Sequence, residues 1–376
     1  MIAFDFNKEC YSCGLCVDVC PKSAITLDKS LHPVIDDTRC INCGVCDKMC
    51  IHQETQSFHK ELNPNAEAFV ARSLDDTIRQ KSSSGGIFWH IAQHIIQNGG
   101  AVCGVKFGND FMPIHAVAQD MNGVSEFMGS KYIQSDMTAI YSEIQVALDA
   151  GKTVCFSGVP CQVVAIEKRF KNLREKLILI AVVCHGSIDR ELWQKYLDEE
   201  KNGKQITHVT MRDKSRGWLN YGLKITFEDG SEHLTFRNED GYFLESFTKG
   251  FLERDRCLNC QYKGDAIKAD ILLGDGWGVY KKYPEFNDTL GASSVICLTD
   301  KGKNLFESIR EKLLVKQVTV EEIIDSNQRI ISPAGENRFR GKFNKEISRN
   351  NSNIHDICKK YAAPTFFNRV WEKLSW

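Results

Sequence analysis

The chain of 376 residues is 42% hydrophobic and 26% charged, which allows a sizeable core shared among two or three folding units. Its 48 Lys and Arg residues balance 49 acidic ones, so it has no broad positive field for gripping nucleic acid, and no nucleic-acid partner is expected. The first residues lack a basic stretch followed by an apolar one, and the longest apolar run, Leu177 to Cys184, is far short of the roughly 20 residues of a spanning helix, so a cytoplasmic location with no transmembrane segment is expected.

Sixteen cysteines without an export signal point to metal or redox chemistry, because cytosolic thiols are kept reduced. Cys10, Cys13, Cys16 and Cys20 recur thirty residues later as Cys40, Cys43, Cys46 and Cys50 with the same internal spacing. Three closely spaced thiolates wrap one face of a cubane, and the fourth ligates the neighbouring cluster. One 4Fe-4S cluster is therefore assigned to Cys10, Cys13, Cys16 and Cys50, and a second to Cys40, Cys43, Cys46 and Cys20. Gly14 and Gly44 keep the loops close to sulfur. Ile51 stands where a second Cys-Pro is expected, which removes a shaping residue but no ligand. A pair of zinc ribbons is the alternative, and it needs only four cysteines per site in two separated pairs. This ferredoxin module occupies residues 1–60, and the polar stretch from about Ser57 to Glu67, with Pro64, reads as a linker.

Further along, Ser82-Ser83-Ser84-Gly85-Gly86 precedes an apolar stripe at helical spacing, Ile87, Phe88, Ile91, Ala92, Ile95 and Ile96, which stops at Gly99-Gly100. Free backbone N–H groups at such a start suit a phosphate, and a plain serine N-cap looks the same in sequence. Strands are predicted over Ala101 to Phe107, Thr153 to Phe156, Leu177 to Val183 and Ala269 to Leu273. The last three run into Gly158-Val159-Pro160-Cys161, Cys184-His185-Gly186 and Gly274-Asp275-Gly276-Trp277. Ligands collect outside strand carboxyl ends in open α/β sheets, so one site is expected there. Val209 to Arg212, Gly222 to Phe227 and Glu232 to Phe236 read as a small antiparallel insert, with Asp229-Gly230 as its hairpin turn. Cys257 and Cys260 add a close thiol pair, and with Cys161 and Cys184 the count reaches four. A third 4Fe-4S cluster, a zinc ion or a reduced thiol pair all fit that count. Cys103, Cys155, Cys297 and Cys358 read as small buried hydrophobes.

Ser83-Ser84-Gly85-Gly86, Gly129-Ser130-Lys131-Tyr132, Gly158-Val159-Pro160-Cys161-Gln162, Cys184-His185-Gly186, Arg256-Cys257-Leu258-Asn259-Cys260 and Ala269 to Trp277 together resemble the β subunit of coenzyme F420-reducing hydrogenases and dehydrogenases, a family also represented by 7-hydroxymethyl chlorophyll reductase. The resemblance implies a non-covalent FAD, an adjoining iron–sulfur cluster on Cys161, Cys184, Cys257 and Cys260, and a flavin face open to a two-electron acceptor. Ser83, Ser84, Gly85 and Gly86 would then cradle the pyrophosphate, with Gly158, Gly274, Asp275 and Trp277 also toward the cofactor; a strand-end turn with a core tryptophan is the alternative for Asp275 and Trp277. Lys131 would stabilise the charge of reduced flavin, with a solvated surface lysine as the alternative. His185 would donate to substrate or bond its own loop. The chain departs from the hydrogenase subunits in carrying a well-developed paired-cluster module in front, which points to an independent reductase.

Thr299 is placed to cap an amphipathic helix holding Leu305, Phe306, Ile309 and Leu313. Beyond residue 330 the mixture of basic and aromatic residues, Arg338-Phe339-Arg340-Gly341-Lys342-Phe343, reads as a tail that is either a solvated face, the usual meaning of one short basic run, or a weak ferredoxin-docking site. The expected organisation is thus 1–60, 61–152, 153–330 and a tail 331–376. The fold class is mixed α+β and α/β: a dicluster ferredoxin domain, then a flavin-binding body with an antiparallel insert. The expected function is electron exchange between ferredoxin, or another redox protein, and a small organic donor or acceptor. A non-catalytic electron-transfer subunit of a larger redox complex is the alternative.

Overall fold

The computed structural model describes residues 5–53, 61–349 and 351–363. The first part of the expected linker and the last part of the expected tail lie outside the described residues.

The N-terminal module has one short antiparallel pair, β1 (Ile25–Leu27) and β2 (Pro33–Ile35), between two cysteine loops. Each loop ends in a short helix, Leu15–Asp18 or Val45–Met49. Gly14 and Gly44 stand at the N-caps with φ of 71° and 73°, and Ser12 and Asn42 share a positive φ of 51° and 53°. The sequence repeat is thus a backbone repeat, with glycine where a left-handed turn requires it.

The body is built on an eight-stranded mixed sheet. Its strands are β3 (Glu67–Ser73), β4 (Ala101–Phe107), β5 (Pro113–Ala118), β6 (Val154–Gly158), β7 (Leu177–Val182), β11 (Ile271–Asp275), β12 (Ser293–Cys297) and β13 (Leu313–Val318). Between β7 and β11 the chain makes a separate antiparallel sheet of β8 (Ile206–Asp213), β9 (Gly222–Phe227) and β10 (Glu232–Phe236). The order in the large sheet is β13-β3-β12-β11-β7-β6-β4-β5. Its middle, β4, β6, β7 and β11, is parallel, and antiparallel strands close both sides. Leu-Ile-Leu-Ile-Ala in β7 is buried throughout, as a strand covered on both faces requires. The helices Ile140–Asp149 and Pro160–Arg169 cover one face, and Ile87–Gln97 and Asp300–Ile309 cover the other. Thr299 caps the last of these by accepting from the Gly302 N–H.

Tyr11, Cys13, Leu15 and Ile51 belong to the same apolar core as Val164, Phe156 and Leu179. The cysteine module is therefore packed into the body. A second core joins the antiparallel insert to the helices Arg190–Lys201, Tyr242–Thr248, Arg340–Ile347 and Ile354–Ala362. Here the structure differs from the expected tail. Phe343 is fully buried, and buried Arg340 donates to Asp255 and to the Glu253 carbonyl, both at 2.6 Å. Arg338, Phe339, Gly341 and Lys342 of the basic run are exposed. From Arg340 the run is helical, and a helix with one apolar stripe buries that stripe. Among the described residues no helix is long and apolar enough to cross a membrane. Cys103, Cys155, Cys297 and Cys358 are all buried.

Candidate functional site

The cysteines gather in three places. Cys10, Cys13, Cys16 and Cys50 line one small cavity, while Cys20, Cys40, Cys43 and Cys46 line another, so each loop contributes its fourth cysteine to the other. Backbone N–H groups point at sulfur: Ser12 donates to Cys10 Sγ and Ala24 to Cys20 Sγ, both at 3.3 Å. The third group forms where the loops after β6 and β7 meet the short helix Asp255–Leu258. There Cys161 is surrounded by Cys260, Cys184 and Cys257, with Cys13 of the first cavity as a further neighbour. Among the described residues no three His, Cys, Asp or Glu side chains converge to hold a single metal ion. Cys161, Cys184, Cys257 and Cys260 are thus electrostatic neighbours of one another. Burial pushes the Cys13 and Cys184 thiols up to about 12, so a metal bound by such thiols has to displace their protons.

The seam between module and body is polar and buried. Tyr141 donates to the Cys13 carbonyl at 2.7 Å and Tyr262 to the Ile51 carbonyl at 2.6 Å. Arg254 reaches the carbonyls of Cys10 at 3.1 Å and Tyr11 at 3.4 Å, and Arg256 bonds the Tyr11 hydroxyl. Ile51, where the second proline is missing, is core, and its carbonyl accepts from Tyr262 of the body.

Above the carboxyl ends of the parallel strands lies a cavity of about 490 Å3. Ser83, Ser84, Gly86, Lys131, Gly158, His185, Gly274, Asp275 and Trp277 all line it, and so does Cys184, which connects it to the third cysteine group. Gly86 starts the helix Ile87–Gln97 in a left-handed conformation without a side-chain cap, so the serine cap is not formed. Gly85 serves the sheet instead, because its N–H donates to Ser293 Oγ at 3.0 Å, and a Cβ there would lie 2.5 Å from the Ala71 carbonyl oxygen. Only glycine lets this loop lie flat on β3 and β12. Ser83 and Ser84 hydroxyls bond Ser130 and Ser293, each at 2.8 Å.

Lys131 donates to three carbonyls of its own loop, Met128 at 2.9 Å, Glu126 at 3.0 Å and Gly129 at 3.3 Å. Burial pushes its ammonium down to about 7, although three carbonyl acceptors favour the charged form. His185 Nε2 lies 3.2 Å from the buried carboxylate of Glu253, and its ring meets Phe247 edge-on at 5.1 Å. Trp277 stacks on Trp218 at 4.6 Å with 14° between the rings. The sequence offered no motif for Arg212, which holds this wall together. Its Nη1 donates to Asp275 at 2.9 Å and Tyr132 at 3.1 Å, and Nη2 to the Ser83 carbonyl at 3.1 Å. The guanidinium lies over the Tyr221 ring at 4.0 Å. Burial works against its charge, but Asp275 and the two tyrosines more than offset it. Its Nε is buried without a hydrogen-bond partner.

Residues 9–53 match the 4Fe-4S dicluster domain, and residues 151–323 match the family described as the C terminus of the coenzyme F420 hydrogenase/dehydrogenase beta subunit. These matches define an iron–sulfur oxidoreductase of the electron-transferring kind. More particularly, residues 151–323 are similar to the C-terminal domain of the coenzyme F420 hydrogenase/dehydrogenase β subunit, and they follow a segment similar to dicluster ferredoxin-type domains. The F subunit of the F(420)H(2) dehydrogenase of Methanosarcina mazei is 23% identical over 333 residues, covering 83% of this chain and 85% of its own length. The coenzyme F420-dependent sulfite reductase of Methanocaldococcus jannaschii is 22% identical over 393 residues, covering 97% of this chain and 56% of that protein, so the chain spans little more than half of that relative. A chain of the F420-reducing nickel–iron hydrogenase complex from Methanosarcina barkeri aligns with a TM-score of 0.48 at 18% identity, covering 78% of this chain and 96% of that one.

Proposed function

We propose that the chain is a cytoplasmic FAD-dependent iron–sulfur oxidoreductase that moves electrons between a ferredoxin-type carrier and a small organic two-electron partner, of which coenzyme F420 is one candidate. The observation that carries this reading is the position of the third cysteine group: Cys161 neighbours Cys13 of the inner loop, and Cys184 lines the large cavity. Twelve cysteines in three groups of four would hold three 4Fe-4S clusters in line, ending at the cavity.

FAD, when bound, supplies exchange between a two-electron organic partner and one-electron carriers. The chain's own residues fit it. Ser84 and the uncapped N-terminal turn after Gly86 offer donors to a diphosphate. The free Nε of Arg212 offers one more, and Trp277, stiffened by Trp218 and Arg212, walls the space for a flat ring system. Lys131 supplies positive charge near that ring and His185 a proton-bearing group beside Cys184. Lys131→Met is expected to slow flavin reduction at least tenfold in stopped-flow measurements below pH 7. The Lys131 charge fades as pH rises through about 7, so the unmodified protein should slow across that range while the variant stays flat. A rate unchanged by the substitution at pH 6 removes this role.

Anaerobic purification and acid extraction test the whole reading: about twelve irons and one FAD per chain are expected, whereas about eight irons without flavin would leave a two-cluster electron shuttle. The alternative, a non-catalytic electron-transfer subunit, is favoured by the relative that is itself named as a subunit of a dehydrogenase. Turnover by the isolated chain excludes it.

A further inference from the structure

Arg254, Arg256 and Lys263 are buried and, among the described residues, none forms an ion pair with a carboxylate. A buried cation without an anion is strongly unfavourable, so counter-charge must come from elsewhere. Each of the three lies against a cysteine group. Arg254, 6% exposed, sits at the N-cap of Asp255–Leu258, where it reaches back to the inner loop through the Cys10 and Tyr11 carbonyls, Ser12 Oγ and, at 3.2 Å, His32 Nε2. Arg256 lies over the Tyr11 ring at 4.4 Å. Lys263 donates to the Cys184 carbonyl and, at 2.8 Å, to the Arg329 carbonyl. Its side chain bonds the Cys184 carbonyl and, for Arg254, the side chain bonds the Cys10 carbonyl and its own carbonyl accepts from the Cys257 N–H at 2.9 Å, so Arg254 stands between the inner and third groups. Glu253 opposes it on the Cys257 side and Asp28 on the Cys10 side. The cations of the outer loop, Lys22, Arg39 and Lys48, are all exposed, where water screens them.

Building on the function proposed above, we propose that Arg254, assisted by Arg256 and Lys263, is the buried counter-charge of the inner and third clusters and holds their reduction potentials above that of the outer cluster, so that an electron arriving at Cys20, Cys40, Cys43 and Cys46 settles inward. A cluster on four thiolates becomes more negative on reduction. Burial of the inner site disfavours that change, and a fixed cation in a low-dielectric seam favours it. At an effective dielectric of about 20, a unit charge some 6 Å away tips the electron's distribution about a hundredfold, enough to decide the order.

The test is a potentiometric titration of the whole, anaerobically purified protein, followed by electron paramagnetic resonance. In the unmodified protein the inner and third clusters should have higher midpoints than the outer one; an outer cluster equal to or above the inner overturns the proposal. In Arg254→Gln the inner and third midpoints should move negative, shifting the electron's distribution between inner and outer sites at least tenfold, about 59 mV for one electron, while the outer midpoint stays. Arg254→Lys should restore most of the shift. Unmoved midpoints with full iron, or a lysine variant as shifted as the glutamine one, also overturn it. If Arg254→Gln fails to load iron, Lys263→Met read on the third cluster takes its place, and an unmoved midpoint there counts against the proposal. Loss of the third cluster from the unmodified protein, at about eight irons per chain, would instead defeat the functional reading and leave the inner–outer comparison standing.

Discussion

The loops Cys10–Cys20 and Cys40–Cys50 are alike in spacing and in backbone, but their equivalent side chains live in opposite surroundings. Tyr11 is 5% exposed and its counterpart Ile41 57%, while Leu15 is 0% and Val45 37%. Cys13 is buried and Cys43 exposed. Pro21 is exposed, whereas Ile51 belongs to the shared core. A cubane asks both loops for the same thiols and the same turn. What differs is what the rest of the chain adds: a buried, cation-lined seam on one side and an open face on the other. Near-symmetric halves thus become an inside and an outside.

The comparison can be broken at the ligands. Cys13→Ala should cost about four irons and stop cavity-bound flavin from being reduced through the outer loop. Cys43→Ala should cost as much iron yet still let a small-molecule reductant reach the flavin; equal rates of flavin reduction in the two variants would contradict this. Packing separates the loops next. Leu15→Ala should lower the stability by about 2–5 kcal/mol and Val45→Ala by about 0.5 kcal/mol or less, measured by anaerobic denaturant unfolding. Smallest in stability, but informative about the open face, is Ile41→Glu: unfolding should move by no more than about 0.5 kcal/mol, while the Michaelis constant for ferredoxin rises several-fold. The exposed pair Arg338 and Lys342 serves as the control, because they lie at and just before the helix Arg340–Ile347, whose Phe343 belongs to the core of the insert.

The cysteine repeat was legible because metal chemistry imposes both residue type and spacing, so Cys10 to Cys50 are found without any fold. The loops after β6, β7 and β11 were legible for a related reason, since buried apolar runs stop abruptly at Gly158, Cys184 and Gly274. Other parts were hidden. β3 and β12 carry no breaker pattern of their own, and β3 begins at Glu67, where the polar linker was expected to end. Arg212, Trp218 and Arg254 do their work across gaps of 63 residues to Asp275, 135 to Ser83 and 244 to Cys10. No local pattern marks a residue whose partners are that remote. The basic run at Arg338 misled for the opposite reason: its local composition suits a surface, and only the tertiary partner Asp255 makes Arg340 an interior residue.

The strand that follows the cysteine module, β3, finds its partners in β12 and β13, near the far end of the described chain, and the residues that roof the inner loop are Arg254, Arg256 and Tyr262. During synthesis these arrive some 200 residues after the loop they cover. At translation rates of about 5–20 residues per second that is an interval of roughly 10–40 s. Until then the inner loop can meet Tyr141 and Val164 but not the cations that roof it, so its enclosure is completed only by the distant segments.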